Sequence, residues 1–260
     1  MNNMTKFTDV IKDRMRNDRR EILVTLSDKI AIKDYVDKRI GKNNLFDHRI
    51  YAGYNIDEAI ENIKPPCVIK LNNAWRKQIM ILNDDFDKKE IKEKFKCWSA
   101  LSKKSWEWGY QQIKPGYLVE KIVSLHHKLV KFLTFFGKSK YIEVQQYDIS
   151  TGRCSMTHAS TYTENWVRAP EIVFDLKPFI LEMPELFEEM KIISHKLSEE
   201  TPGVFADFFR TDFYCNDNKL LISELTEYKG GGTTGYSEKF DRELMEAYNN
   251  EKNRYYNLGL

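Results

Sequence analysis

Cysteine is scarce and scattered in this 260-residue chain: Cys67, Cys97, Cys154 and Cys215 form no CxxC pair. That spacing suggests neither a zinc site nor a disulfide framework, and free thiols fit a reducing compartment. Charge of one sign is also lacking. Lys and Arg number 41 against 39 Asp and Glu, a net charge of +2, which by itself marks no polyanion binder. No apolar run approaches the ~20 residues of a membrane span. The start of the chain, residues 1–6, has no apolar signal-peptide core. A soluble cytoplasmic protein without membrane insertion is therefore expected. No internal repeat or low-complexity linker stands out. What is there is 42% hydrophobic and 31% charged residues, the composition of a globular chain with a real core.

Residues 1–20 read as a charged helix with Arg14, Arg16, Arg19 and Arg20 on a solvated face. Ser27 reads as the N-cap of a helix over 28–40, with Ile32, Tyr35, Val36 and Ile40 as its stripe and Gly41 as its stop. Asn55 caps a short helix running to Ile63. Pro65-Pro66 forces an extended entry into a short buried strand over 67–71, with 78–82 as its return. A helix over 87–101 carries Ile91, Phe95, Trp98 and Leu101 on one face, and 117–123 is a further strand. Residues 132–136 and 140–147 pair as a hairpin about Gly137-Lys138, and 148–152 form a turn. Pro184 opens an amphipathic helix with Leu186, Phe187, Met190, Ile193 and Leu197 on one stripe. A last helix covers 237–249. The class is α+β, with helices packed on antiparallel sheets.

The chemistry gathers in two apolar runs, 205–214 and 219–226, separated by the turn signal Asn216-Asp217-Asn218. As a hairpin they hold Arg210, Asp212 and Glu224 near one end. Two carboxylates and a cation suit Mg²⁺ and phosphate, because Mg²⁺ takes oxygen ligands and shares them with substrate phosphates. The plain alternative is a surface hairpin with ordinary charges. Lys70 ends an apolar strand, either as a compact cation for phosphate or simply exposed. Glu120-Lys121 interrupts another apolar strand: a nucleotide base lies beside such an edge, or Glu120 faces water by simple alternation. Lys131 precedes an apolar segment. His126-His127 lack a third ligand at metal spacing and read as a polar bend. Arg168, in the loop 165–170, offers a planar fork for a carboxylate. Tryptophans 75, 98, 106, 108 and 166 suit stacking on sugars or bases, with Trp98 assigned to the core by its stripe.

The order Lys70, Glu120-Lys121, Lys131, Asp212, Glu224 resembles the ATP-grasp superfamily, most closely its TupA-like branch, named for teichuronopeptide biosynthesis. The resemblance runs from about Ser27 to Asp241. Its carriers are Ser27-Asp28-Lys29 with Tyr35-Val36, Val68-Ile69-Lys70, Leu118-Val119-Glu120-Lys121, Lys131-Phe132 with Phe136-Gly137-Lys138, Arg210 to Tyr214, Ser223 to Thr226, and Gly230-Gly231-Gly232. It implies two α+β subdomains with antiparallel sheets clamping ATP. The small one would span 65–128 and the large one 129–260, after a reduced, helical N-terminal region 1–64. Lys70 would hold the α- or β-phosphate. Glu120 and Lys121 would lie at the adenine hinge, with Val123 near the base and Lys131 as a further nucleotide contact. Asp212 and Glu224 would hold Mg²⁺, and Arg210 would meet the transferred phosphate. Thr226 stands where many members carry a metal-binding Asn and is grouped with Arg168 on the substrate side. Lys29 matches a family lysine without an assigned role. One departure concerns the loop 71–77. Members carry glycines there, which let the backbone approach phosphates. This chain has none: either Arg76 or Lys77 replaces backbone contacts with charge, or the grip on ATP is weakened.

The resemblance implies carboxylate–amine ligation through an acyl phosphate. The expected partners are a uronic acid, free or nucleotide-linked, and an amino acid or small amine, in assembly of a surface polysaccharide such as capsule or O-antigen. No nucleic-acid partner is expected on this reading. Two other readings stay open. One is a small-molecule kinase on the same ATP site. The other is a non-catalytic module binding polysaccharide or single-stranded nucleic acid by stacking along 98–121.

Overall fold

A computed structural model of the chain describes residues 4–41, 44–74, 77–102, 105–150, 154–169, 180–198, 207–215, 219–232 and 236–257. Two antiparallel sheets organise it. The smaller has the order β1-β4-β2-β3, from β1 (Arg49–Gly53), β2 (Cys67–Leu71), β3 (Gln78–Ile81) and β4 (Tyr117–Lys121). The larger has the order β7-β6-β5-β8-β9, from β5 (His126–Phe135), β6 (Lys138–Asp148), β7 (Ser155–Thr163), β8 (Phe208–Cys215) and β9 (Leu221–Thr226). The helices are α1 (Phe7–Asn17), α2 (Glu21–Ser27), α3 (Ile32–Ile40), α4 (Ile56–Glu61), α5 (Lys88–Ser102), α6 (Trp108–Gln112), α7 (Phe187–Ser198) and α8 (Glu238–Asn257).

Strand alternation assigns the faces. In the smaller sheet, Cys67, Ile69, Leu71, Ile81 and Val119 pack with Ala59 and Ile60 of α4 and Ile91 and Phe95 of α5. Lys70 and Glu120 lie on the other face. In the larger sheet, Phe132, Ile142, Phe213 and Leu225 pack against α7 and against Leu23, Leu26 and Val36 of α2 and α3. The opposite face is divided. At one end Leu133, Phe135 and Phe208 lie beneath Phe7 and Ile11 of α1 and Phe240 and Leu244 of α8. Burying each such side chain contributes about 1.5–3 kcal/mol. Beyond them the same face becomes polar, and the site begins there.

The N-terminal region differs most from expectation. Ser27 ends α2 instead of capping a helix, and its hydroxyl donates back to the Leu23 carbonyl at 2.7 Å. Asp28 then accepts the Ile30 N–H at 2.8 Å, a turn that delays the next helix to Ile32. Arg14 is not on a solvated face. It is 3% exposed, and its guanidinium donates to the carbonyls of Phe208 and Glu227, both at 2.9 Å, and to Asp207 at 2.7 Å. The strand β1 was not anticipated. It pairs with β4, so it precedes the expected limit after residue 64, while β5 starts before the limit after 128. His126-His127 open this long strand instead of forming a bend. Asn55 does cap α4, accepting the Asp57 N–H at 2.9 Å. The turn 216–218 lies outside the described residues, as do residues 75–76 of the glycine-free loop and 151–153 of the turn after β6.

Candidate active site

Register places Thr161, Glu143, Lys131, Asp212 and Glu224 side by side across all five strands of the larger sheet. Directly opposed residues share a face with Cβ atoms about 4.5–5.5 Å apart. Lys131 Nζ is 2.9 Å from Asp212 Oδ2. Arg210, two residues along β8 and hence on the same face, grips Asp212 through Nε at 2.5 Å and Nη2 at 2.7 Å. The same Nη2 lies 3.3 Å from Glu224 Oε1 and from Thr226 Oγ1. Burial alone would push the Asp212 carboxyl up, but Arg210 and Lys131 outweigh it and hold it below its ordinary value. Asp212 is fully buried, whereas the Glu224 side chain is 30% exposed. The row therefore opens at β9. At its other end Lys229 and Tyr236 engage Glu143, the tyrosine at 2.8 Å.

The smaller sheet contributes a second ionic group. Lys70 Nζ pairs with Glu120 Oε2 at 2.7 Å. Glu120 is 1% exposed, so the alternative in which it faces water is excluded. Lys121 does not join it. Alternation turns its side chain to the α4–α5 face, where it is exposed at the end of β4. Val123 lies in the short connection 122–125 between the two sheets. Lys29 spans the two groups. Its backbone N–H donates to Asn72 at 3.1 Å and its ammonium to the Ala74 carbonyl at 3.3 Å, and that ammonium lies 4.0 Å from Glu224 Oε2. This lysine, without a role in the sequence, thus joins the loop after β2 to the open end of the row.

Sequence reasoning also missed an aromatic group beside the connection 122–125. His127 stacks on Tyr147 at 5.4 Å and meets Tyr214 edge-on at 5.5 Å. The parity of 127, 129 and 131 along β5 was the signal, obscured once the histidines were read as a bend. Arg168 stands apart. It is exposed beyond β7, the edge strand farthest from β9, and bridges to Tyr162 of the helix-covered face.

The family model described as TupA-like ATPgrasp matches residues 9–249. The chain belongs to the TupA-like ATP-grasp family. Among solved structures it is similar to an L-amino acid ligase from Bacillus licheniformis, at 14% identity and a TM-score of 0.49, covering 82% of this chain and 45% of that one. It is also similar to a D-alanine–D-alanine ligase from Helicobacter pylori, at 15% identity and a TM-score of 0.46, covering 84% and 58%. A third is an N5-carboxyaminoimidazole synthetase from Staphylococcus aureus complexed with ADP, at 15% identity and a TM-score of 0.38, covering 78% and 45%. The chain thus spans about half the length of these proteins, and the family match alone carries the assignment. No curated protein sequence matches the chain.

The residues of this ATP-grasp chain fit a magnesium nucleotide. Among the described residues no group of three or more His, Cys, Asp or Glu side chains could hold a metal ion. Two carboxylates are nonetheless an ordinary protein share for Mg²⁺, which keeps waters and phosphate oxygens in its remaining positions. The row also holds buried oxygens with no hydrogen bond among the described residues, Glu143 Oε2 and Thr161 Oγ1. Buried polar atoms of that kind are rare. No helix among the described residues is long and apolar enough to cross a membrane.

Beside the row, Glu227 is 1% exposed against Ser27. The Ser27 hydroxyl lies within donating reach of both the Leu23 carbonyl and Glu227 Oε1, and its contact with the carboxylate opposes, without cancelling, the effect of burial. Burial pushes the Glu227 carboxyl up to about 8. A raised carboxyl stabilises the fold below its unfolded pKa, and that contribution is lost as pH rises toward 8. Glu227→Gln is therefore expected to match the wild type in melting temperature at pH 5 and to exceed it by several degrees at pH 8.5, as read by circular dichroism.

Proposed function

We propose that this ATP-grasp protein is a carboxylate–amine ligase, forming an amide through an acyl phosphate. The observation that carries this reading is the row Lys131–Asp212–Glu224 with Arg210, joined by Lys29 to the Lys70 side of the smaller sheet. Without a ligand, acids and cations there neutralise one another. A magnesium nucleotide offers each a better partner: oxygens bind the metal, and lysines and arginine bind phosphate. In this reading the base lies beside 122–125 and the His127–Tyr147–Tyr214 group, and the phosphates lie along the row.

ATP and Mg²⁺ would supply the phosphoryl group that activates the carboxylate and the positive charge that offsets its transfer. The chain's own residues align and shield. Lys70, Lys131 and Arg210 hold phosphate oxygens, Asp212 and Glu224 hold the metal, and Thr226 hydrogen-bonds beside them. Excluding water when substrates are bound would protect an acyl phosphate from hydrolysis. The amine then displaces phosphate at the activated carbonyl and loses a proton. The lobes of this reading are 65–128 and 129–260, with β1 and α4 of the region 1–64 joined to the first and α1 to α3 packed on the second. The carboxylate proposed is a uronic acid, free or nucleotide-linked, and the amine an amino acid or other small amine, in the cytoplasmic assembly of a surface polysaccharide. That choice rests on the resemblance to the teichuronopeptide branch. Arg168 is not relied on for either substrate.

The test is phosphate release from Mg-ATP with a panel of uronates and nucleotide-linked uronates, pooled amines, and mass spectrometry of products. An amide that is absent with Asp212→Asn is the expected result. A phosphorylated acid without amide would make the protein a kinase.

A further inference from the structure

Behind the Lys70–Glu120 pair lies a cluster with no role in the reading above. Arg49 sits opposite Glu120 in register, with His48 before it on the chain. We propose that Arg49, assisted by His48, is a positioning residue that keeps Glu120 compensated while Lys70 leaves it for the phosphates of a nucleotide. This inference rests on the nucleotide site described above.

The distances show which cation is engaged and which are held in reserve. Lys70 is 2.7 Å from Glu120 Oε2, the shortest ion pair to this carboxylate, neither oxygen of which makes a hydrogen bond among the described residues. Arg49 Nε stands 3.5 Å and His48 Nε2 3.6 Å from Oε1, both beyond the usual N–H···O range. The Arg49 side chain is only 7% exposed. All three of its guanidinium nitrogens are buried without a hydrogen bond among the described residues, as are both ring nitrogens of His48. Buried donors are almost always paired. Here five nitrogens of two adjacent residues go unpaired, two of them just outside bonding distance of one carboxylate. Packing holds both residues in place: the guanidinium lies 4.2 Å over Phe46, and His48 meets Tyr214 edge-on at 5.5 Å.

Lys70 cannot face Glu120 and a phosphate equally well. Once its ammonium turns to phosphate, a lone buried carboxylate remains, which is strongly unfavourable. A shift of a few tenths of an ångström brings Arg49 within hydrogen-bond range and removes that penalty. An arginine suits this position because it stays charged when buried and its planar fork stacks on an aromatic ring.

The test is calorimetric titration of the full chain with Mg-ADP and, separately, with adenosine. Arg49→Met is expected to weaken Mg-ADP binding at least ~10-fold and adenosine binding less than ~3-fold, because only the phosphates draw Lys70 away. In a Lys70→Met background the same substitution is expected to cost less than ~3-fold for Mg-ADP, the non-additivity of coupled residues. Arg49→Lys, which keeps a cation, is expected to restore most of the loss. Arg49→Gln replaces Arg49→Met if the latter does not fold. Equal losses for adenosine and Mg-ADP would make Arg49 a mere shaper of the base pocket and overturn the proposal, as would losses additive with Lys70→Met. A wild type that binds both ligands beside a silent Arg49→Met overturns this inference alone. A wild type that binds neither overturns the nucleotide site with it.

Discussion

Glu224→Gln is expected to lower Mg-ATP-dependent turnover at least about 10²-fold, because a metal ligand supplies several kcal/mol of charge stabilisation. Its melting temperature should stay within about 2 °C of the wild type, the usual range for a part-exposed position. Asp212→Asn is expected to lose turnover by a similar or larger factor and, unlike Glu224→Gln, to lose stability as well. The difference lies in burial. Asp212 has no exposed surface and is held by Arg210 at 2.5 Å and Lys131 at 2.9 Å. Removing its charge leaves two buried cations short of a partner, a loss of about 3–5 kcal/mol and on the order of 10 °C. Phosphate-release assays beside thermal melts of both variants separate the effects. A Glu224→Gln protein with full activity would remove that residue from the metal site.

Arg14→Met is expected to destabilise the fold by about 3–5 kcal/mol, the scale of breaking a buried, hydrogen-bonded ion pair. The carbonyls of Phe208 and Glu227 lose their donor, and Asp207 keeps Arg20 at 2.8 Å and the Tyr248 hydroxyl at 2.9 Å. Arg16→Met, on the exposed side of the same helix, should change stability by less than about 0.5 kcal/mol. The pH dependence follows. Burial alone would raise the Asp207 carboxyl, but Arg14 and Arg20 bring it down to about 2. A depressed carboxyl contributes stability that is present above its unfolded pKa, near 4, and lost as pH falls toward 2. Arg14→Met should make that acid limb shallower. Urea titrations between pH 2 and 7 measure both quantities, and equal losses for the Arg14 and Arg16 variants would contradict the burial of Arg14.

These outcomes bear on what a single sequence reveals. The hairpin with Arg210, Asp212 and Glu224 was legible because apolar alternation and the intervening turn signal fix both strands. Strand parity then aligned Lys131 with Asp212 once β5 and β8 paired. Lys70 was marked as ending an apolar strand and Glu120 as interrupting another, yet their pairing with one another needs the β2–β4 register, which no local pattern encodes. Arg14 was misread because a buried arginine's partners are backbone carbonyls some 200 residues away, and composition cannot show those. Ser27 was misread because a serine that closes one helix by back-bonding looks in sequence like one that opens the next. His48 and Arg49 were passed over because β1 is a short strand without marked alternation, and Lys29 was named without a role because its surroundings depend on two distant segments meeting.

The central claim is that the acids and cations of the row exchange one another for a magnesium nucleotide. Calorimetric titration of ADP with and without Mg²⁺, on the wild type and on Glu224→Gln, tests it most directly. The account predicts that Mg²⁺ tightens ADP binding at least ~10-fold in the wild type, the effect of a metal bridging carboxylate and phosphate, and that Glu224→Gln abolishes most of this gain while still binding ADP. ADP binding that ignores Mg²⁺, or a gain that survives in Glu224→Gln, would contradict it.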